Sequence, residues 1–178
     1  MKAKVLGTKK LGHIHFSYQG DKKKLEGLFQ EVKTDLIKQT HLITANMQKR
    51  GGGIGELRLV DLTSKLQDYF QIEVSFETCD AMGANFINSV LEKMASLWQQ
   101  SCLAHGLVRD GEELEIIMAI LSNYTPECLV NVKVGCPISD LYPQDIRFAH
   151  KMAKKFKRAV DIARVDPKRA VTHNKGIF

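Results

Sequence analysis

Residues 56–76 read ELRLVDLTSKLQDYFQIEVSF, and their reading decides the fold. Glu56–Leu62 alternates polar and apolar positions, and so does Phe70–Phe76; a period of two marks strands with one face buried. Thr63 to Asp68 is a short polar turn between them. Working outward, Gly12–Tyr18 (GHIHFSY) alternates in the same way, and residues 113–121 (ELEIIMAIL) supply a fourth strand. Two long segments with helical spacing separate these strands. After Gly20-Asp21, Leu25, Leu28, Phe29, Val32, Leu36, Ile37 and Ile43 recur at intervals of three and four, and Gly51–Gly53 stops the pattern. From Asp80, read as the N-cap, Ile87, Val90, Leu91, Met94, Leu97 and Trp98 form a second stripe that runs down near His105-Gly106. The order strand, helix, strand, strand, helix, strand predicts an α+β fold of the ferredoxin-like, split βαβ kind, an antiparallel sheet with two helices on one face.

Beyond it, Cys128–Gly135 reads as a further strand. Residues 144–163 read as a third helix with Pro143 in its first turn, and from Arg164 the chain reads as an irregular loop ending on Ile177-Phe178. The expected organisation is a leading segment 1–11, a ferredoxin-like domain 12–122, and an extra strand, helix and loop over 123–178.

Hydrophobic residues make up 44% of the 178, enough for a substantial core, and 13 Gly with 4 Pro do not describe a disordered chain. No apolar run approaches the ~20 residues of a membrane span, and MKAKVLGTKKLG lacks a signal peptide's apolar stretch. The expectation is a cytoplasmic protein with no membrane partner. Cys79, Cys102, Cys128 and Cys136 show no metal-binding spacing and read as reduced, mostly buried thiols. The net charge of +6 fits nucleic acid, an anionic cofactor or solubility alone. Its lysine clusters lack the interleaved aromatics of a single-strand binder.

Three segments carry chemistry. Asp80-Ala81-Met82-Gly83-Ala84-Asn85 lies at a strand-to-helix junction, where small side chains and free N–H groups would suit a phosphate. A capped helix packed tightly on its neighbour explains the same residues, and is the plainer reading. Gly51–Gly53 followed by Glu56 is either a helix stop or a glycine turn that sets a carboxylate beside a ribose; such a carboxylate accepts from both hydroxyls and repels a 2′-phosphate. Arg169–Gly176 (RAVTHNKG) gathers two cations, a histidine and an asparagine; a solvated basic tail is the competing reading.

Taken together, DAMGAN, the later RAVTHNKGI and the upstream triple glycine resemble hydroxymethylglutaryl-CoA (HMG-CoA) reductase of the soluble bacterial, class II, degradative type. Leu121-Ser122-Asn123 and Val165-Asp166-Pro167 match as well, so the resemblance covers almost the whole chain. It implies an oxidoreductase that interconverts HMG-CoA with mevalonate and CoA through two NAD(P)H hydride transfers. It implies cofactor contacts at Asp80, Ala81, Met82, Gly83, Ala84 and Asn85, and an acidic ribose partner at Glu56. NAD(H) is then the preferred cofactor and NADP(H) the second. Lys175 matches the catalytic lysine, whose ammonium would stabilise charge developing on a carbonyl oxygen. Arg169 matches a residue that grips the substrate carboxylate, and Asn123 one bordering the active site. The family's glutamate, aspartate and thiolate-protonating histidine match nothing here, so this chain alone is expected to bind cofactor and be inactive. A dimer-based homo-oligomer without nucleic acid is implied. The alternative is a non-catalytic ferredoxin-like binding module for RNA or a protein partner. Its aromatic candidates would be Phe16, Tyr18, Phe70 and Phe76.

Overall fold

Alternation at 70–76 becomes strand β3 (Tyr69–Glu77), which pairs antiparallel with β2 (Gly53–Asp61) on one side and β1 (Lys2–Tyr18) on the other. β4 (Leu114–Leu121) adds to the far side of β1, also antiparallel, giving the order β2-β3-β1-β4; β5 (Cys128–Lys133) pairs with β1 off this path. The computed structural model describes residues 1–108 and 114–177, so Glu113 of the expected fourth strand and the terminal Phe178 lie outside the described residues.

The chain divides into two compact units, residues 4–131 and residues 1–3 with 132–178. The first is α+β and contains the whole 12–122 segment. Ile14 lies opposite Ile72, and Phe16 opposite Phe70. These side chains are buried with Leu25, Phe29, Leu36, Ile87, Leu91 and Met94 from the helices. Trp98 fills the centre, its ring edge-on to Phe16 at 6.0 Å and to Phe29 at 5.9 Å. Gly12 packs closely under the second helical stripe: a Cβ would stand 2.6 Å from Leu91 Cδ1 and 3.1 Å from Ile87 Cγ2, so a larger residue would require these side chains to shift.

Several boundaries differ from the sequence reading. The first helical segment is two helices, α1 (Lys22–Gln39) and α2 (His41–Lys49). They are separated by the fully buried Thr40, whose hydroxyl and N–H both donate to the Ile37 carbonyl and so end α1. β1 starts ten residues earlier than Gly12, because its lysine-rich leading half has no buried face to produce alternation. The second stripe is α3 (Ala84–Ala104). Asp80 is not its N-cap; Gly83 is, in the left-handed region at φ +79°. Only Cys102 is a fully buried thiol, with its pKa pushed up to about 12 by burial, whereas Cys79 is half-buried and Cys128 and Cys136 are exposed.

In the second unit, α4 runs Ile146–Val165, with Pro143 before it rather than in its first turn. Asp145 is the N-cap, accepting from the N–H groups of Arg147 (2.8 Å) and Phe148 (3.2 Å). The expected final loop is a helix, α5 (Pro167–Ile177), capped by Asp166 through the Lys168 N–H at 3.0 Å. Pro167 holds the first helical position, where its missing N–H costs nothing. α4 buries only Ala149 and Ala163, leaving Phe148, Met152 and Phe156 exposed. Among the described residues, no helix is long and apolar enough to cross a membrane.

The sheet face away from the helices is polar near its middle. His15 Nδ1 and the Tyr69 hydroxyl are 2.6 Å apart. His13 lies beside Glu73 at 3.6 Å, and Glu73 also takes the Arg58 guanidinium. Burial, and then the nearby His13, hold the His15 pKa below its ordinary 6.5. The unfolded chain therefore binds this proton more readily than the folded one. Its contribution to stability is complete above pH 6.5 and is lost as pH falls from there through the folded pKa. Urea unfolding from about pH 7 to about pH 5 should show a falling midpoint, with a shallower fall in His15→Gln. An unchanged slope in the variant would remove His15 from this account.

Candidate cofactor site

The site is built where β3 ends. Cys79 takes φ +54°, Gly83 takes φ +79°, and residues 78–83 fold into a tight turn before α3. The fully buried Thr78 organises it: its hydroxyl donates to the Ala81 carbonyl (2.7 Å), and its own carbonyl accepts from the Ala81 N–H (3.0 Å). From β1, the Lys10 ammonium donates to Thr78 Oγ1 (2.6 Å) and to the Ala81 carbonyl (2.8 Å). A Cβ on Gly83 would fall 2.5 Å from Thr78 Cγ2, so glycine is required for space as well as for its φ.

Met47 and residues 81–86 line a shallow depression of about 390 Å³. Among the described residues no side chain caps α3, so no described oxygen occupies its first-turn N–H groups. With the positive end of the helix dipole, this suits an anion such as a phosphate. Thus Ala81, Met82, Gly83, Ala84 and Asn85 line one depression. Asp80, 85% exposed in its side chain, instead forms an ion pair with Arg50 at the end of α2, a residue that sequence reasoning had not singled out. Only its position before the triple glycine, beside a segment already suspected, could have pointed to it.

Glu56 lies three residues past Gly53 in a β-bulge, where the β2–β3 register shifts between Ile54 and Leu57. Its N–H donates to Ser75 Oγ at 2.7 Å, and the residue is exposed. A Cβ on Gly55 would approach Ser75 Oγ to 2.6 Å and so displace the hydroxyl that accepts from Glu56. The glycine turn and the 78–83 turn are neighbours, joined by the Arg50–Asp80 pair and by Cys79 Sγ donating to the Arg50 carbonyl (3.1 Å).

A larger depression, about 710 Å³, lies between Tyr18, Lys22 and residues 63–68. It sits at the other end of β3, roughly 27 Å away at about 3.3 Å per residue. Its Lys22 is already engaged by Asp61 (3.0 Å) and by Thr63. The N–H groups of Lys23 and Lys24 are taken by Asp21. It is therefore the poorer anion site despite its size.

Asn123 is exposed just past β4 in the first unit. Arg169 and Lys175 belong to α5 in the second, Arg169 half-buried and Lys175 exposed. Six residues apart at about 100° each, they point about 120° apart around the helix. Neither forms an ion pair among the described residues. The aromatics that an RNA reader would need are in the core: Phe16, Tyr18, Phe70 and Phe76 are 0%, 4%, 1% and 1% exposed. Among the described residues, no group of three His, Cys, Asp or Glu is placed to hold a metal.

The model of the family described as hydroxymethylglutaryl-coenzyme A reductase matches residues 3–178. The chain belongs to this family. A probable 3-hydroxy-3-methylglutaryl-coenzyme A reductase of Borreliella burgdorferi is 28% identical over 161 residues, covering 90% of this chain and 34% of that protein. The 3-hydroxy-3-methylglutaryl-coenzyme A reductase of Archaeoglobus fulgidus is 23% identical over 146 residues, covering 82% of this chain and 30% of that protein. This family member thus spans about a third of the length of those curated relatives. A class II reductase of Streptococcus pneumoniae, solved with NADPH in open conformations, superposes with a TM-score of 0.74 at 28% identity, over 99% of this chain and 44% of that one. Another structure of the S. pneumoniae enzyme gives 0.74 at 27% identity, over 99% and 39%.

Proposed function

We propose that this chain supplies the dinucleotide-binding part of an HMG-CoA reductase, the enzyme interconverting HMG-CoA with mevalonate and CoA. The carrying observation is the depression over residues 81–86 at an N-terminus of α3 that no described side chain caps. In this reading, residues 12–122 are the ferredoxin-like cofactor domain, an assignment supported by the strand order β2-β3-β1-β4. Residues 123–178 belong to the substrate-binding part. The pyrophosphate of the cofactor lies at the first turn of α3, among Asp80–Asn85, and its adenosine ribose near Glu56. Lys175 on α5 supplies the cation for a developing oxyanion, Arg169 the guanidinium for the substrate carboxylate, and Asn123 a polar edge of the active site. The NADPH of the S. pneumoniae structure supports a nicotinamide cofactor. The chain by itself binds cofactor without turning substrate over. The complete enzyme is a cytoplasmic homo-oligomer built on dimers, and the exposed Phe148, Met152 and Phe156 of α4 supply apolar surface for further contacts.

NAD(H) is preferred over NADP(H) in this reading, because the Glu56 carboxylate accepts from a free 2′-hydroxyl and repels a 2′-phosphate carrying about −2 charges. The net charge of +6 acts in the other direction. A contact pair is worth ~1 kcal/mol in water and a few times more when partly shielded, so the nearest group outweighs diffuse charge. Calorimetric titration with both cofactors tests this. Wild type should bind NADH more tightly, and Glu56→Ala should move the ratio roughly tenfold towards NADPH. A wild type that prefers NADPH, or a ratio unmoved by the substitution, would withdraw Glu56 from the role.

A further inference from the structure

Arg50 is fixed at its backbone and loosely held at its tip. It ends α2 immediately before Gly51 at φ +89° and Gly53 at φ +131°. A Cβ on Gly52 would meet the Glu77 carbonyl at 2.4 Å, so this glycine turn lies directly against the end of β3. The Arg50 carbonyl accepts from Cys79 Sγ. The guanidinium reaches across to Asp80 with both side chains well exposed, 50% and 85%. An ion pair so open to water contributes little to folding and is readily exchanged for a stronger anion.

The turn it joins has an unusual balance of charge. Asp80 stands beside an anion-suited helix end, where a carboxylate by itself would repel a phosphate. Lys10 lies under the same turn, bonded to Thr78 and Ala81, with no carboxylate in ion-pair range among the described residues. Two cations therefore meet adjacent residues of one turn, Arg50 at Asp80 and Lys10 at Ala81. The Lys10 ammonium is committed to holding the turn, whereas the guanidinium is free to change partners.

We propose that Arg50 is a phosphate-binding residue of the dinucleotide site, exchanged from Asp80 onto the diphosphate of the ligand, while Lys10 positions the turn. The proposal rests on the cofactor reading above and goes beyond it in naming the residue and the exchange. A planar guanidinium can bond two phosphate oxygens at once, a stronger and more directional contact than the carboxylate pair it leaves.

The test uses the 178-residue chain with NADH, ADP and, as a phosphate-free probe, adenosine, titrated into wild type, Arg50→Gln, Arg50→Lys and Asp80→Asn. Arg50→Gln should weaken ADP and NADH alike by about tenfold or more and leave adenosine within about twofold. Arg50→Lys should recover part of the loss, since lysine restores charge without the fork. Asp80→Asn should tighten ADP by a few-fold, because it frees the guanidinium and removes a repulsive charge. A simple strap between the two turns predicts the opposite sign for Asp80→Asn: if both Arg50→Gln and Asp80→Asn weaken ADP, the proposal is overturned. It is overturned equally if adenosine is weakened as much as ADP. If wild type binds neither NADH nor ADP, the cofactor reading fails and takes the proposal with it. If wild type binds both and only the variants disobey, the cofactor reading stands and Arg50 alone is dismissed.

Discussion

Trp98→Ala should destabilise the first unit by about 3–5 kcal/mol, which for a domain with a typical stability of 5–15 kcal/mol is a third or more of the total. Trp98 is fully buried, between Phe16 of β1 and Phe29 of α1, so its ring ties three elements to one point. Truncation opens a cavity that rigid neighbours, Phe16 and Phe70 stacked at 5.8 Å among them, cannot collapse into. One term works against the loss: the indole N–H is buried with no hydrogen-bond partner among the described residues. Relieving an unsatisfied donor is worth about 1–3 kcal/mol, less than the packing lost. Trp98→Phe separates the two terms, since it keeps most of the packing and removes the donor. It should cost clearly less than the alanine variant, since the cavity it leaves is smaller. Urea denaturation measures both variants, and an alanine variant within about 1 kcal/mol of wild type would contradict this description of the core.

Gly83→Ala should have the largest effect on ligand binding. The added methyl is opposed twice. The left-handed conformation costs an alanine about 1–2 kcal/mol, and the clash with the buried Thr78 at 2.5 Å forces one chain segment to move. Overpacking of this kind costs about 1–3 kcal/mol. Thr78 cannot yield easily, because its hydroxyl holds the Ala81 carbonyl and receives Lys10. The turn itself must shift, carrying the α3 amides with it. NADH affinity should fall by roughly tenfold to a hundredfold, with a thermal midpoint lowered by several degrees. Unaltered NADH binding in a destabilised variant would separate this turn from the cofactor.

The core was legible wherever burial is one-sided. Strand β3, the second half of β1 and the stripes of α1 and α3 bury alternate or three-to-four-spaced residues, so the pattern carries the answer. The leading half of β1 buries nothing, and its lysines leave no period to read. The break at Thr40 was hidden because apolar spacing continues to Ile43 across it. α5 has a local signal, Asp166-Pro167 as cap and first position, but its only apolar residues beyond Pro167 are Ala170, Val171 and Ile177, too sparse for a helical stripe. The 80–85 segment was legible as composition, small residues before a helix, and not as geometry. Asp80 suits a cap by type, yet it pairs with Arg50, 30 residues away, in a turn that Lys10 bonds at Ala81, 71 residues away, and the helix is capped by Gly83. Pairings at such separations leave no periodicity, so Arg50 stayed invisible until the fold brought it to Asp80.

The central claim is that the turn over residues 81–86 is where a nicotinamide dinucleotide binds. Backbone amide resonances of the 178-residue chain, followed during titration with NADH, test it directly. The account predicts saturable shifts concentrated at residues 81–86 and in the neighbouring glycine turn up to Glu56. No saturable change, or shifts concentrated around Tyr18 and residues 63–68 at the opposite end of β3, would contradict it.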